Sequence, residues 1–212
     1  MATSSSGSAA AESRNRQTLI RLLIAMLLAS LGLTSCGEES PTTLIKPDDF
    51  KAAKGEASDA WVGIVGMPPC RALREFNRDL NLAASGDVTG TTVGFEGGGY
   101  VFAVVFSPTA TSPSADEVVA GVQGHVKDCA AEIADDPSRN VEELSDLPME
   151  ATGFRGVENN FTSEYVYAAT SGDRLLVAGM EYATEDRAPV SVERLLELSA
   201  DRAPDVAETE GW

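Results

Sequence analysis

Seven consecutive residues, Tyr100-Val101-Phe102-Ala103-Val104-Val105-Phe106, constrain this chain more than any other stretch. Nearly all favour extended backbone, and none is charged or a turn former. In a strand successive side chains point to opposite faces, which puts Tyr100, Phe102, Val104 and Phe106 on one side and Val101, Ala103 and Val105 on the other. Both faces are apolar, so the strand belongs inside a sheet and asks for cover on both sides. A Thr-, Val- and Gly-rich stretch, Gly86 to Glu96, precedes it across Gly97-Gly98-Gly99, the pattern of a hairpin. Glycine turns also cradle phosphate, but that use needs a helix N-terminus and usually a lysine, whereas a strand follows here.

Helical spacing surrounds this hairpin. After Pro68-Pro69, the segment 70–83 repeats Cys70, Leu73, Phe76 or Asn77, and Leu80 on one stripe. Ser114 with Glu117 forms a capping box ahead of Val118, Val122, Val126, Cys129 and Ile133, and Asp135-Asp136-Pro137 ends that helix. Pro47-Asp48-Asp49 predicts a short helix stopping near Gly55, and Pro189 predicts another through Arg202 with Val192, Leu195, Leu196 and Ser199 on one face. Extended segments are expected at Val141 to Leu147, Val157 to Thr170 and, past the turn Ser171-Gly172-Asp173, Arg174 to Tyr182. Hairpins with helices that do not alternate regularly predict an α+β domain over residues 47–203: an antiparallel sheet of about five strands packed by three to four helices. No internal repeat is present.

Three or four helices need not cover both faces of such a sheet, so the second face could form an open apolar groove, against the simpler account in which its aromatics are ordinary core. Tyr100, Phe102, Tyr165 and Tyr167 are the groove's candidate lining, with Phe161 in the same aromatic row. The two accounts differ in whether Tyr165 is exposed.

The N-terminus carries a second strong signal. Arg14, Arg16 and Arg21 precede a twelve-residue apolar run, Leu22 to Leu33, in the order of an export signal. A membrane-spanning helix needs about 20 apolar residues, more than this run supplies. The run closes with Leu33-Thr34-Ser35-Cys36, which resembles the lipobox of bacterial lipoproteins. That resemblance implies a signal peptide over 1–35, lipidation of Cys36 by a diacylglyceryl group and a fatty acid such as palmitate, and residence on the extracytoplasmic face of the cell membrane. Residues 36–46 then read as a polar tether and 204–212 as an acidic tail.

Charge and cysteine count narrow the function classes. The chain has 16 Lys+Arg against 33 Asp+Glu, a formal charge of -17, which repels a phosphate backbone and argues against nucleic-acid binding. Removing residues 1–35 takes three basic residues and one acidic residue, leaving 13 against 32, a net of -19. With Cys36 lipidated, Cys70 and Cys129 remain, an even number in a compartment where disulfides persist, and a Cys70–Cys129 bridge between two apolar helix faces is expected.

No catalytic or metal constellation emerges, and no cofactor is expected. The single histidine, His125, lies at the edge of the stripe holding Val122 and Cys129, with no second His to share a metal or a proton, and reads as a rim residue. Asp136, Ser138, Asn140 and Glu142 alternate like a calcium loop, but Val141 stands where that loop needs Gly and Leu147 where it needs Glu. Neither a nucleophile elbow, a phosphate-binding loop nor a zinc-protease helix motif is present.

Several separate pieces carry a further resemblance: PDDF followed by Trp61 and Cys70, the run from Tyr100 through Cys129, and SGDRLLVAG. Together they resemble actinobacterial envelope lipoproteins related to the extracellular sensor domain of the mycobacterial kinase PknH, over residues 44–203. That sensor domain has two disulfides where this chain has cysteines for one, and no kinase accompanies it here. The resemblance implies an antiparallel sheet packed by helices around a cleft; a PsbP-like lipoprotein fold is the alternative. The expected function is a lipid-anchored, non-enzymatic binding or accessory module of the bacterial envelope, partnered by the membrane and by an apolar ligand or an envelope protein. The alternative is an exported hydrolase using carboxylates alone, which would require two of them to converge in one cleft about 5 to 10 Å apart.

Overall fold

A computed structural model describes residues 43–50, 64, 66–83, 88–95, 98–107, 109, 112–171 and 173–208, with side-chain surroundings through 203. The apolar run 22–33, Cys36, the residues 36–42 of the expected tether, Gly55 and Trp61 lie outside the described residues. The elements are helix α1 (Arg71–Ala83), strands β1 (Val88–Gly94) and β2 (Tyr100–Phe106), helix α2 (Ala115–Glu132), strands β3 (Arg139–Glu143), β4 (Thr152–Glu158), β5 (Phe161–Thr170) and β6 (Arg174–Ala183), and helix α3 (Val192–Glu208). The strands form one antiparallel sheet in the order β1-β2-β6-β5-β4-β3.

The α+β architecture and the antiparallel sheet match the expectation, with six strands instead of about five. The extra strand is β4, most of which, Thr152–Gly156, precedes the expected Val157–Thr170 segment; Asn159-Asn160 then turn the chain into β5. Glu158 pairs directly with Phe161 across this two-residue turn, and Asn159 takes the left-handed conformation (φ 54) that asparagine tolerates. The predicted helix at Pro47 is a single 3₁₀ turn, Pro47–Asp49, because Phe50 already has extended backbone. At the other end, α3 runs to Glu208, beyond the expected stop at Arg202.

Both faces of the sheet are covered. On one, Phe102, Val104, Phe106, Tyr165, Tyr167 and Val177 pack against α1 and α2; on the other, Val101, Ala103, Val105, Val166, Ala178 and Met180 pack against α3 and Leu44, Ile45 and Phe50. The expected tether over 36–46 therefore runs too far, since fully buried Leu44 and Ile45 belong to the core. Each such large apolar side chain contributes about 1.5–3 kcal/mol on leaving water. An ion pair fastens the same segment: both carboxylate oxygens of Asp49 accept from the Arg202 guanidinium at 2.6 and 2.8 Å, and Lys46 N–H donates to Oδ2 at 2.7 Å.

Ser114 caps α2 as predicted, accepting from Glu117 N–H while the Glu117 carboxylate accepts from Ser114 N–H. Val118, Val122, Val126, Cys129 and Ile133 are buried, as their stripe requires. Cys70, just before α1, is bonded to Cys129 near the end of α2 (Cα–Cα 5.5 Å, 59 positions apart in sequence). Beside the bridge, the Glu132 carboxylate accepts from the N–H groups of Arg71 and Ala72 at 2.8 and 3.1 Å, filling the open donors of α1 from the end of α2.

Candidate functional site

The aromatic row singled out in the sequence is core, not groove. Phe102, Tyr165 and Tyr167 are fully buried and Tyr100 is half-buried, because α1 and α2 close the face they occupy while α3 and residues 43–50 close the other. Tyr165 stacks on Phe154 (ring centroids 5.0 Å) and meets Phe102 edge-on (5.5 Å). Its hydroxyl donates to Glu181 at 3.1 Å, and that of Tyr167 donates to Asn77 Oδ1 at 2.6 Å. Burial, with the Glu181 carboxylate adding to it at Tyr100 and Tyr165, pushes all three tyrosine hydroxyls well above their ordinary range, so they stay protonated donors. Phe161, placed in the same row, is exposed at the start of β5.

An open cavity of about 470 Å³ lies between α1 and α2. Ala72, Glu75, Phe76, Asp79, Leu80 and Ala83 form its α1 wall, and their three- and four-residue spacing is one continuous helix face. Opposite stand Glu117, Val118, Gly121 and His125, with Pro113 at the entry to α2. A smaller apolar cleft shares Leu80, Ala83 and Val118 with this cavity and reaches Phe106 and Leu175 of the sheet. The alternative left open in the α1 stripe is thereby settled. Asn77 turns inward, where Tyr167 satisfies its carbonyl, and Phe76 faces the cavity, stacked on His125 at 4.4 Å with an interplanar angle of 27°. His125 is thus a half-buried rim residue, as its position predicts.

Two features of this groove stand out physically. The first is that its carboxylates have capacity to spare. Arg71 binds only Oε1 of Glu75, Arg78 only Oδ1 of Asp79, and Ser114 only Oε2 of Glu117; the other oxygen of each has no partner among the described residues. The second is Gly121, which sits in a helix interior where glycine costs about 1 kcal/mol relative to alanine. A Cβ at Gly121 would meet nothing within 4 Å, so close packing does not account for the missing side chain. What the glycine does provide is space in the cavity wall.

A second cavity, of about 300 Å³, contains two carboxylates, those of Glu158 and Glu181, beside Met67 and Phe161. Both serve the fold. Glu158 joins Arg74 and Arg139 at 3.1 and 2.9 Å, while Glu181 Oε1 accepts from Met67 N–H at 2.6 Å and from Tyr165. Gly66, at φ +108, allows that approach: a Cβ there would fall 1.9 Å from the Tyr165 hydroxyl oxygen. No group of three or more His, Cys, Asp or Glu side chains placed to hold a metal exists among the described residues.

Of the sequence-derived site residues, then, Cys70 and Cys129 form the expected bridge, the four aromatics pack in or against the core, and Cys36 lies outside the described residues. No helix among the described residues is long and apolar enough to cross a membrane. The chain matches no protein-family model, and no curated protein is significantly similar to it.

Proposed function

We propose that this chain is a lipid-anchored binding module of the bacterial cell envelope, held at Cys36 on the extracytoplasmic face, and that its ligand enters the groove between α1 and α2. The groove carries this reading: about 470 Å³ falls within the 300–1,000 Å³ typical of small-molecule sites, and an apolar floor with a few polar groups at its rim is the usual make-up of such sites. The export signal, the cysteine at the end of the apolar run and the disulfide all fit an oxidising, extracytoplasmic location. In the second cavity Glu158 and Glu181 are engaged by the fold, so the hydrolase alternative would have to use Glu75, Asp79 and Glu117 of the groove itself.

Native mass spectrometry of the protein purified from its own membranes tests this. A bound small molecule is expected on the parent protein and not on Gly121→Leu, whose new side chain fills the groove without breaking the helix. An adduct that persists on Gly121→Leu, or a parent protein that carries none, overturns the assignment of the site.

A further inference from the structure

Resting on the groove as the binding site, we propose that its ligand is an amphipathic cation: an apolar body laid over Phe76, Leu80 and Val118, and an ammonium-type group received by Glu75, Asp79 and Glu117. Among the described residues the charged side chains lining the groove are these three carboxylates, with no Lys or Arg. Each carboxylate keeps one oxygen without a partner among the described residues, so a cation gains acceptors without displacing the bonds to Arg71, Arg78 and Ser114. A carboxylate or phosphate ligand would gain no cation at this rim and would meet the carboxylate of Glu117, while Glu75 and Asp79 are already paired with Arg71 and Arg78. The rings of Phe76 and His125, stacked on one another at 4.4 Å, add contact area for the ligand's apolar body.

The apolar end of the ligand has a direction as well. At its floor the groove meets a cleft of only about 20 Å³ among Leu80, Ala83, Phe106, Ser112, Pro113, Val118 and Leu175, so the apolar body lies along the groove itself and points toward this end. Gly121 leaves its part of the groove wall without a side chain. An acidic rim and an apolar floor in one cavity select a molecule with both characters over a purely polar polyamine or an uncharged hydrocarbon.

Calorimetric titration with two probes of equal chain length, decyltrimethylammonium and decyl sulfate below their micelle concentrations, separates the two levels of this claim. The ammonium is expected to bind at least about ten-fold more tightly than the sulfate, and to weaken as salt rises from about 50 to about 500 mM. Gly121→Leu should lower ammonium affinity at least about ten-fold while the protein's net charge stays the same. The combined variant Glu75→Gln, Asp79→Asn, Glu117→Gln keeps the groove's shape and the α2 capping box, and should bring ammonium affinity down to that of the sulfate. Equal binding of both probes, blocked by Gly121→Leu, overturns the cation and leaves the groove in place. Ammonium binding that survives Gly121→Leu, or no binding of either probe, overturns the groove and the cation together.

Discussion

The bridge between Cys70 and Cys129 should supply a large share of this domain's net stability. The perturbation is the double substitution Cys70→Ala, Cys129→Ala, which removes both thiols and leaves two small apolar groups in buried positions. The bridge closes a stretch of 59 positions, and a cross-link over a loop of that size withdraws about 4 kcal/mol of chain entropy from the denatured state at 25 °C. Total stabilities of such domains are about 5–15 kcal/mol, so the loss is severe but need not unfold the protein. In a domain of this size each kcal/mol lowers Tm by about 2–4 °C, which predicts a fall on the order of 10 °C. Guanidinium unfolding followed by circular dichroism measures the free energy and its denaturant slope together. The slope should rise, because a denatured chain freed of its cross-link exposes more surface. Parent protein held reduced in excess dithiol, with its thiols left unmodified because both positions are fully buried, should lose a similar amount. A loss below about 1 kcal/mol refutes the reasoning, and so does a full-sized loss with an unchanged slope, which places the effect in native packing.

Tyr165→Ala should cost about 3–5 kcal/mol as a fully buried aromatic truncation, whereas Tyr165→Phe, which keeps the ring and loses the hydroxyl with its bond to Glu181, should cost about 1–2; thermal melts showing little change for Tyr165→Ala would mean that the residue lines an open surface. Burial alone would raise the Asp49 carboxyl, but the hydrogen bonds from Arg202 and Lys46 outweigh it and hold the group below its ordinary 3.8. Asp49→Asn should therefore cost about 2 kcal/mol at neutral pH, and the gap to the parent should persist above 3.8 and close as pH falls through the lower folded value, which denaturant midpoints at several pH values would detect. Cys36→Ala should abolish lipidation while the domain still folds; a variant that continues to follow the detergent phase as the parent does removes the anchor.

What was legible in the sequence was local. Ser114 and Glu117 are three residues apart and cap a helix whose apolar stripe lies within the next turns, so α2 could be read almost to its ends. The hairpin of β1 and β2 was legible for the same reason. The sixth strand was missed because its first five residues, Thr152-Gly153-Phe154-Arg155-Gly156, hold two glycines and one large apolar side chain and so show no strand pattern, while Val157 reads on through Asn159-Asn160 into the next segment, although a polar pair between apolar runs is itself a hairpin signal. Cover for the second sheet face was missed because Leu44 and Ile45 sit among polar residues, and nothing local shows that they pack beside Val101 and Leu196. The groove depends on Phe76 facing α2 while Asn77 turns inward, a choice fixed by the Tyr167 hydroxyl 90 positions away. Gly121 gave no local hint, because Gly124 in the same helix is equally free of packing neighbours and does not line the groove.

The junction of β2 with β6 joins Phe106 to Leu175 and Tyr100 to Glu181, and it alone stitches the first hairpin to the four-stranded meander that follows. Both strands carry residues of both apolar layers, Val101 and Phe102 on one side of the seam, Leu176 and Val177 on the other. Parting this seam would wet both layers in a single event and leave a two-stranded ribbon, a piece with marginal stability in water. The domain thus has no cheap half-open state along its midline. Amide protons of β2 and β6 should exchange with solvent only through global unfolding, and the late closure of this long-range seam should limit how fast the chain folds.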